Sequence, residues 1–420
     1  MTQSPYRSGP TEARTGSGGR EDWPHVVVLE PFNAGLAVAR RMSSLGARVT
    51  ALLQPSHTLI ARSRYVESVI APFEPAGEPW LEALCEIAKG ADELVVLPAS
   101  DRGSQFLVEA AERLPCNLLA FEHPGSAHMT LMNKQQADAI ATRAGVAVPW
   151  TMFVNDGEQL AYALDAAPWP CVVKPIISHL WRERYGEERA FLVADPEEAA
   201  ALLSRPLEDG LGMLLMQYVP GGDEHLEEAT VVRLADGSYP VRWGCRKLRQ
   251  YPPGFGATTV AESAVLPQAM EIAERVLDEA GFVGVANVET KRDMHTGENW
   301  FLEVNVRLPG QWGLADACGA QATQRLIAAL LGRSLDPQPQ LRPGVRVVFP
   351  ELDKRVVGPV LAAAPLWRRP GLAWQLAQSY RRTRELGMFD PRDPGPGLAM
   401  AGAFARQRLA DLAARMHIAP

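Results

Sequence analysis

The stretch from Val283 to Arg307 constrains the fold of this 420-residue chain more than any other. Two runs rich in β-branched and aromatic residues flank a polar segment that contains Gly297, which predicts two antiparallel strands joined by a turn. Side chains alternate between the faces of a strand. The predicted apolar face carries Gly284, Ala286, Val288, Leu302, Val304 and Val306. The predicted polar face carries Asn287, Glu289, Lys291, Glu303, Asn305 and Arg307. One face therefore belongs to a core and the other to a site.

The polar face carries two carboxylates. With the turn centred near Thr296, Glu289 lies opposite Glu303, and at about 5 Å the two charges repel by roughly 3 kcal/mol at an effective dielectric near 20. We therefore expect a cation beside them. With the Asn305 amide oxygen they form the hard-oxygen set that Mg²⁺ prefers when it is shared with phosphates. Arg307, further along the strand, would hold an anion. The alternative is a solvated strand face, but paired carboxylates on neighbouring strands favour a site.

This hairpin resembles a motif of a known protein superfamily. Glu289 followed by the segment from Phe301 to Arg307 resembles the metal-binding hairpin of the ATP-grasp superfamily. Three more segments resemble the superfamily's motifs and occur in its order. They are the helix predicted from His128 to Ala144, which contains Lys134 and is followed by Gly145-Val-Ala-Val-Pro149, the run Pro170-Cys-Val-Val-Lys174-Pro175, and the segment from Met213 to Gly222. The resemblance covers roughly residues 25 to 335.

The resemblance implies an ATP site made of two lysines, three hinge residues at the adenine edge and one carboxylate for the ribose. In chain order these are Lys134, Lys174, Gln217, Tyr218, Val219, and then Asp223 or Glu224. A solvated helical lysine is the alternative for Lys134. The metal, Mg²⁺ or Mn²⁺ in its place, would be bound by Glu289, Glu303 and Asn305.

A cluster of cations, Arg246-Lys-Leu-Arg249, ends a predicted strand. A solvated edge strand is one interpretation. A clamp on the γ-phosphate and the acyl phosphate is the other, and it gives Arg246, Lys247 and Arg307 catalytic roles. The loop from Ser178 to Gly186 would close over the phosphates, with Arg182 or Arg184 as donors in place of the superfamily's glycine-rich backbone.

The N-terminal part predicts an open parallel sheet, because buried strands alternate with helices from His25 to Ala120. A dinucleotide fold is excluded, since the turn from Glu30 to Gly35 lacks the Gly-x-Gly-x-x-Gly fingerprint. Asp101 follows a strand's carboxyl end, where it either faces the acceptor substrate or, like Ser100, caps a helix.

The fold class is thus α/β and α+β, an ATP-grasp fold with an N-terminal open parallel α/β domain and a C-terminal extension. The expected divisions are a disordered tail at 1–22, the α/β domain at 23–125, a small lobe at 126–210, a large lobe at 211–335 and the extension at 336–420.

Composition narrows the function classes. A net charge of −7 without a basic block argues against nucleic acid. The chain has no apolar run of 18 residues and no signal-like N-terminus, which predicts a cytoplasmic protein with no membrane partner. Its five cysteines are isolated from one another, as expected in a reducing compartment. A homodimer is left open.

The resemblance is strongest to the carboxylate-amine ligase branch, which includes D-aspartate ligases. It implies that the carboxylate of a small-molecule substrate, expected to be an amino acid, attacks ATP to form an acyl phosphate, and that an amine then displaces phosphate. The alternatives are a kinase or carboxylase on the same fold, or a nucleotide-binding regulatory module without turnover.

Overall fold

A computed structural model describes residues 22–74, 77–176, 181, 184–186 and 190–418, without the side chains of 407 and 411–418. The strands, in chain order, are β1 His25–Leu29, β2 Val49–Leu53, β3 Glu67–Ile70, β4 Leu94–Pro98, β5 Leu118–Leu119, β6 Thr151–Val154, β7 Cys171–Pro175, β8 Phe191–Val193, β9 Met213–Gln217, β10 Leu226–Arg233, β11 Val241–Tyr251, β12 Ala257–Ala264, β13 Gly284–Arg292, β14 Asn299–Asn305, β15 Arg346–Val348 and β16 Thr383–Glu385. The helices are Asn33–Ser44, Glu78–Ala88, Asp101–Ala110, His128–Met132, Lys134–Arg143, Gly157–Ala166, Pro196–Glu208, Pro267–Glu279, Trp312–Ala317, Ala322–Leu330, Pro350–Ala363, Arg369–Ser379 and Pro394–Ile418.

The N-terminal domain is a five-stranded sheet in the order β3-β2-β1-β4-β5, and every neighbouring pair is parallel. Its central strand β1 is buried along its whole length because helices cover both faces, as parallel sheets require. The open parallel α/β domain predicted from the sequence is confirmed.

The second sheet has four antiparallel strands in the order β6-β9-β7-β8. Strand β9 lies inside it and pairs with both β6 and β7. The structure therefore differs from the expected division at 210/211, because β9 belongs to the small-lobe sheet. Central strands carry apolar residues on both faces, and the run Met-Leu-Leu-Met of β9 does so.

The predicted single helix from His128 to Ala144 is two helices. Asn133 is extended, with φ −84° and ψ 113°, and its Oδ1 accepts a hydrogen bond from the Gln136 N–H at 3.1 Å. An Asn in this position is a favoured N-cap, so it starts a new helix. Lys134 consequently occupies the first turn of the second helix.

The third sheet has seven strands in the order β14-β13-β10-β11-β12-β15-β16. Strands β15 and β16 come from the predicted C-terminal extension, which is therefore continuous with the large lobe. None of the described helices combines the length and apolarity needed to cross a bilayer.

The hairpin β13–β14 has the predicted register at its site end, with Glu289 directly opposite Glu303. A bulge follows, and Thr290 faces Phe301. The bulge makes one prediction wrong: Leu302 is half-buried and lines a cavity instead of the core. Phe301 is fully buried in the core in its place.

Candidate active site

A cavity of about 950 Å³ opens where the three sheets meet. The N-terminal domain contributes Phe32, Asn33, Ser100 and Asp101 to its wall. The small-lobe sheet and its hinge contribute Phe153, Val172, Lys174, Leu214, Met216, Gln217, Tyr218 and Val219. The large-lobe sheet contributes Glu228, Lys247, Asn287, Glu289, Lys291, Leu302, Glu303, Asn305 and Arg307. The volume lies within the range of small-molecule sites.

Three carboxylates form a row across three adjacent strands of the large sheet. Glu303 on β14 is opposite Glu289 on β13, and Glu289 is opposite Glu228 on β10. Directly opposed side chains are about 5 Å apart at their Cβ atoms, so these like charges would repel one another without a cation. The row concentrates negative charge on one wall of the cavity.

Lys247 on β11 supplies the cation expected beside Glu289. Its Nζ lies 2.7 Å from Glu289 Oε2 and 3.4 Å from Glu228 Oε1. Burial alone would lower the pKa of Lys247, but the two carboxylates outweigh it and the pKa lies above its ordinary value. Lys247 is therefore a fixed positive charge at the cavity wall.

Sequence reasoning missed Glu228, which is 1% exposed. Asn287 Nδ2 donates to its Oε2 at 3.2 Å, and Thr258 Oγ1 donates to its Oε1 at 3.4 Å. Extending the two-residue alternation back from Thr230 would have placed Glu228 on the site face.

The carboxylates of Glu289 and Glu303 differ in their electrostatics. Burial is the largest influence on Glu289 and raises its pKa, and Lys247 only partly offsets this. Burial also acts on Glu303, but the positive charges of Lys174, Lys247 and Lys134 outweigh it and lower the pKa. Glu303 is thus held as a carboxylate by charges from two lobes.

The predicted metal ligands present oxygen atoms to the same cavity. Asn305 Nδ2 donates to Glu303 Oε1 at 3.4 Å, and Asn305 Oδ1 accepts from Arg307 Nη2 at 3.2 Å. Among the residues that the structure describes, no three His, Cys, Asp or Glu side chains are arranged to hold a metal by themselves. Glu289, Glu303 and Asn305 offer two carboxylates and an amide oxygen, which are the hard-oxygen donors that Mg²⁺ takes together with phosphate oxygens.

Arg307 links the large-lobe sheet to the N-terminal domain. Its Nε donates to Asp101 Oδ1 at 2.8 Å, and both side chains line the cavity. Ser104 Oγ donates to the Val306 carbonyl at 2.9 Å, which fixes the end of β14 against the same helix. Ser100 caps this helix, accepting from the Gly103 N–H at 3.0 Å, and both Ser100 and Asp101 line the cavity.

Both predicted phosphate lysines line the cavity. Lys134 Nζ donates to Asp138 Oδ1 at 2.6 Å and to the Leu302 carbonyl, so the solvated alternative is excluded. Lys174 extends from β7, and burial lowers its pKa while Glu303 and Glu289 act in the opposite direction. A phosphate near Lys174 would supply a further negative partner for this buried ammonium group.

The predicted hinge residues Gln217, Tyr218 and Val219 also line the cavity. The Gln217 N–H donates to the Trp150 carbonyl at 2.8 Å, and the Tyr218 N–H donates to the Pro170 carbonyl at 3.0 Å. These two donors are committed within the protein, which leaves Val219 as the hinge residue with an N–H to offer a ligand. The Nζ of Lys291 lies 4.3 Å from the Tyr218 ring centroid, a cation–π contact at the same end of the cavity.

The structure corrects the expectation for Arg246. It does not line the cavity, and its Nε is 3.2 Å from Glu227 Oε1. Neighbouring residues on a strand point to opposite faces, so with Lys247 in the cavity Arg246 must lie outside it. Arg249, the last cation of the predicted cluster, does not line the cavity either. It lies beyond a bulge in β11 and pairs with Asp353 at 2.8 Å.

The expected ribose carboxylate is not on the cavity wall either. Asp223 accepts hydrogen bonds from Gln250 Nε2 at 2.8 Å and from the Gly254 N–H at 3.1 Å, which anchors the following loop. Glu224 faces His225 at 3.3 Å, and its side chain is 62% exposed. Neither side chain contributes to the cavity as the structure describes it.

The loop predicted to close over the phosphates is described only in part. Ser178 and Arg182 lie outside the described residues. Arg184 Nη1 donates to the Asp209 carbonyl at 3.2 Å, and this side chain does not line the cavity. The structure therefore places Arg184 away from the expected phosphate position.

The fold is similar to that of several solved structures. With the ADP complex of N5-carboxyaminoimidazole ribonucleotide synthetase the TM-score is 0.59 at 18% identity, covering 76% of this chain and 80% of that chain. With an L-amino acid ligase from Bacillus licheniformis the TM-score is 0.55 at 17% identity, covering 77% and 78%. With biotin carboxylase from Campylobacter jejuni it is 0.55 at 16% identity, covering 77% and 74%. No protein-family model and no curated protein sequence matches the chain. At these identities the likeness establishes the fold, and the chain has the ATP-grasp fold.

Proposed function

We propose that this protein is an ATP-dependent ligase that activates a substrate carboxylate as an acyl phosphate and couples it to an amine. The observation that carries the proposal is the charged wall of the cavity. Glu289, Glu303 and Asn305 present hard oxygens there, while Lys174 and Lys247 bring positive charge to within reach of the same space. Phosphoryl transfer depends on such positioning and charge stabilisation rather than on a protein nucleophile.

ATP and Mg²⁺ fit this cavity by the chemistry of its walls. Val172, Leu214 and Met216 give an apolar surface for a purine ring beside the hinge, and Lys134 and Lys174 would bind phosphate oxygens. Bound Mg²⁺, or Mn²⁺ in its place, would neutralise the phosphate charge and orient the γ-phosphoryl group. Glu289, Glu303 and Asn305 would hold it.

The proposed reaction has two steps. A carboxylate oxygen of the substrate attacks the γ-phosphorus of ATP, the bond to the β-phosphate oxygen breaks, and ADP leaves. The amine nitrogen then attacks the acyl carbon, inorganic phosphate leaves, and the nitrogen loses a proton. Lys247 would stabilise the charge that develops on the transferred group, and Arg307 would orient the carboxylate through its planar pair of donors.

The acceptor end of the cavity lies between the large sheet and the N-terminal domain. Arg307 and Asp101 offer a cation and an anion 2.8 Å apart, a combination that suits a substrate carrying both a carboxylate and an ammonium group. This supports an amino acid as one substrate. The solved structures of similar fold include one L-amino acid ligase, which is consistent with that choice.

A carboxylase is the second candidate, because the solved structures of similar fold include a carboxyaminoimidazole ribonucleotide synthetase and a biotin carboxylase. In that case bicarbonate would take the place of the substrate carboxylate. The same cavity would serve both reactions, so the residues of its walls do not distinguish a ligase from a carboxylase.

The test is a screen of amino acids paired with amines, with bicarbonate as a separate arm, that measures ADP formation. A productive pair is then repeated with ¹⁸O in the substrate carboxylate. Transfer of one ¹⁸O to inorganic phosphate supports the ligase, whereas ADP formation with label retained in a phosphorylated substrate identifies a kinase. ADP formation only with bicarbonate identifies a carboxylase, and ATP binding without turnover across the screen identifies a regulatory module.

A further inference from the structure

A second pocket, of about 690 Å³, lies apart from the active-site cavity, between the N-terminal domain and the C-terminal segment. Its charged lining consists of Arg40, Arg41, Arg342, Arg382, Arg384, Arg392, Asp316, Glu385 and Asp390. Six arginines face three carboxylates in a chain whose net charge is −7. The pocket is therefore a positive region on an otherwise acidic protein.

Four of these arginines have no carboxylate within ion-pair distance among the described residues: Arg41, Arg342, Arg382 and Arg384. The other two are paired, Arg40 with Asp393 at 3.0 Å and Arg392 with Asp390 at 3.1 Å. Arg41 and Arg342 donate to neutral groups, a glutamine oxygen and a backbone carbonyl. Neither guanidinium has a carboxylate as a direct partner in the part of the chain that the structure describes, which is the arrangement that an anionic ligand would complete.

The wall of the pocket includes a buried donor that no other described residue satisfies. The Arg40 side chain is only 10% exposed, and among the described residues its Nη2 has no hydrogen-bond partner although its Nε and Nη1 do. An unsatisfied buried donor costs about 1 to 3 kcal/mol, more when it is charged. A ligand that reaches this wall would offset that cost.

Arg382 lies in the turn between the helix Arg369–Ser379 and β16. Its φ of +62° is the left-handed conformation in which many helices end. The neighbouring Gly344 leaves the room its guanidinium needs, since a Cβ at Gly344 would lie 2.9 Å from Arg382 Nη1. This turn and Gly344 together bring one cation to the pocket.

We propose that this pocket binds a small organic anion carrying two or more negative charges, either a phosphate ester or a polycarboxylate. Several arginines that converge from separate segments match such a ligand, because each guanidinium offers a planar pair of donors to phosphate or carboxylate oxygens. The volume exceeds what an inorganic ion fills and lies within the range of metabolite sites.

The site is distinct from the active-site cavity but shares a helix with it. Asn33 and Ala34 at the start of the helix Asn33–Ser44 line the active-site cavity, whereas Ala37, Arg40 and Arg41 line the arginine pocket. At 1.5 Å per residue the helix is about 18 Å long, so its first turn lines one site and its remaining turns line the other.

The experiment is calorimetric titration of the full chain with pyrophosphate and, separately, citrate, in the presence of Mg²⁺ and a non-hydrolysable ATP analogue that occupies the active site. We expect one molecule bound per chain and at least tenfold weaker binding in Arg342→Gln/Arg384→Gln. Arg368→Gln, which removes an exposed arginine outside the pocket, should leave the affinity unchanged. Tighter binding of pyrophosphate identifies a phosphate ester as the ligand class, and tighter binding of citrate identifies a polycarboxylate.

Several results would overturn the proposal: no binding of either anion, equal losses in the control and the double variant, or a loss in Lys174→Ala but not in the double variant, which would place the anion in the active site. Should the double variant fail to fold, phenylglyoxal modification of the wild-type chain decides. Pyrophosphate or citrate must then protect Arg342, Arg382 and Arg384 but not Arg368, and the absence of selective protection would end the proposal.

Discussion

The two sheets that enclose the active-site cavity share the same two-residue alternation but contribute opposite chemistry. The small-lobe wall is mainly apolar and carries one lysine, with Val172 and Lys174 on β7 and Leu214 and Met216 on β9. The large-lobe wall is mainly polar or charged. Its polar and charged side chains include Glu228, Lys247, Asn287, Glu289, Lys291, Glu303 and Asn305.

The difference indicates that the two walls have different roles in the proposed reaction. On the large-lobe wall each charge fixes its neighbour, as Lys247 does for Glu289 and Glu228, so the site is ordered before a ligand arrives. The small-lobe wall offers a flat apolar surface and one ammonium group, which suits binding of a nucleotide. Changes on the first wall should therefore reduce turnover, and changes on the second should weaken ATP binding.

The largest effect is expected from Glu303→Gln on the large-lobe wall. The change is nearly isosteric but removes a charged metal ligand, so we expect turnover to fall by at least about a hundredfold, or roughly 2.7 kcal/mol of transition-state stabilisation. ADP formation by the purified variant measures this. Glu298→Gln, in the exposed turn of the same hairpin, is the control and should keep normal activity. Near-normal turnover of Glu303→Gln would show that this carboxylate binds no catalytic metal.

On the small-lobe wall, Lys174→Ala should weaken ATP binding by about tenfold to a hundredfold, the value of a charge-assisted hydrogen bond of roughly 1.5 to 3 kcal/mol. The thermal stability of this variant should change little, because without a phosphate the lysine is desolvated and its charge contributes little to folding. Calorimetric titration with a non-hydrolysable ATP analogue measures the affinity of Lys174→Ala. The same titration of Glu303→Gln shows how a change on the large-lobe wall affects ATP binding. Lys89→Ala, an exposed lysine in the N-terminal domain, is the matched control. An unchanged affinity would make Lys174 a structural residue.

Arg307 lies where the large-lobe wall meets the N-terminal domain, and Arg307→Lys tests the acceptor end. A lysine cannot reproduce the planar pair of donors, so kcat/KM for the carboxylate substrate should fall more than tenfold, above about 1.4 kcal/mol, while ATP binding stays almost intact. Arg246→Lys makes the same exchange on the opposite face of the same sheet and should be silent. If Arg307→Lys weakened only ATP binding, the arginine would belong to the nucleotide end.

The smallest effect concerns two lysines of the large-lobe wall and their response to pH. Burial lowers the pKa of Lys291 to about 8, so folding is penalised fully below pH 8 and the penalty disappears as the pH rises towards 10.5. Lys291→Met should raise Tm by a few degrees at pH 7 and by less at pH 10. Lys247→Met should instead lower Tm at pH 7, because it leaves Glu289 and Glu228 unpaired. Equal shifts of Tm in the two variants would contradict this contrast.

The sequence predicted much of the charged wall because a strand hairpin is a local structure. The two-residue period and the turn at Gly297 were enough to place Glu289 opposite Glu303, and the order of the motifs was enough for the fold. Lys134, Lys174 and the hinge residues came instead from the resemblance of short segments to the motifs of the ATP-grasp superfamily, and the structure brings all five to the cavity wall.

Long-range packing decided the rest. Only the pairing of β10 with β13 brings Glu228 into the row of carboxylates. Only the packing of the large sheet decides which face of β11 lines the cavity, and so whether Lys247 or Arg246 does. Only the packing of the helix Asp101–Ala110 beside the end of β14 gives Arg307 its partner Asp101. The bulge at Leu302 and the arginine pocket likewise depend on segments far apart in the chain. Alternation along a strand is written in the sequence, whereas which strands become neighbours is set by the burial of whole faces, so the residues that complete each site were decided by the tertiary structure.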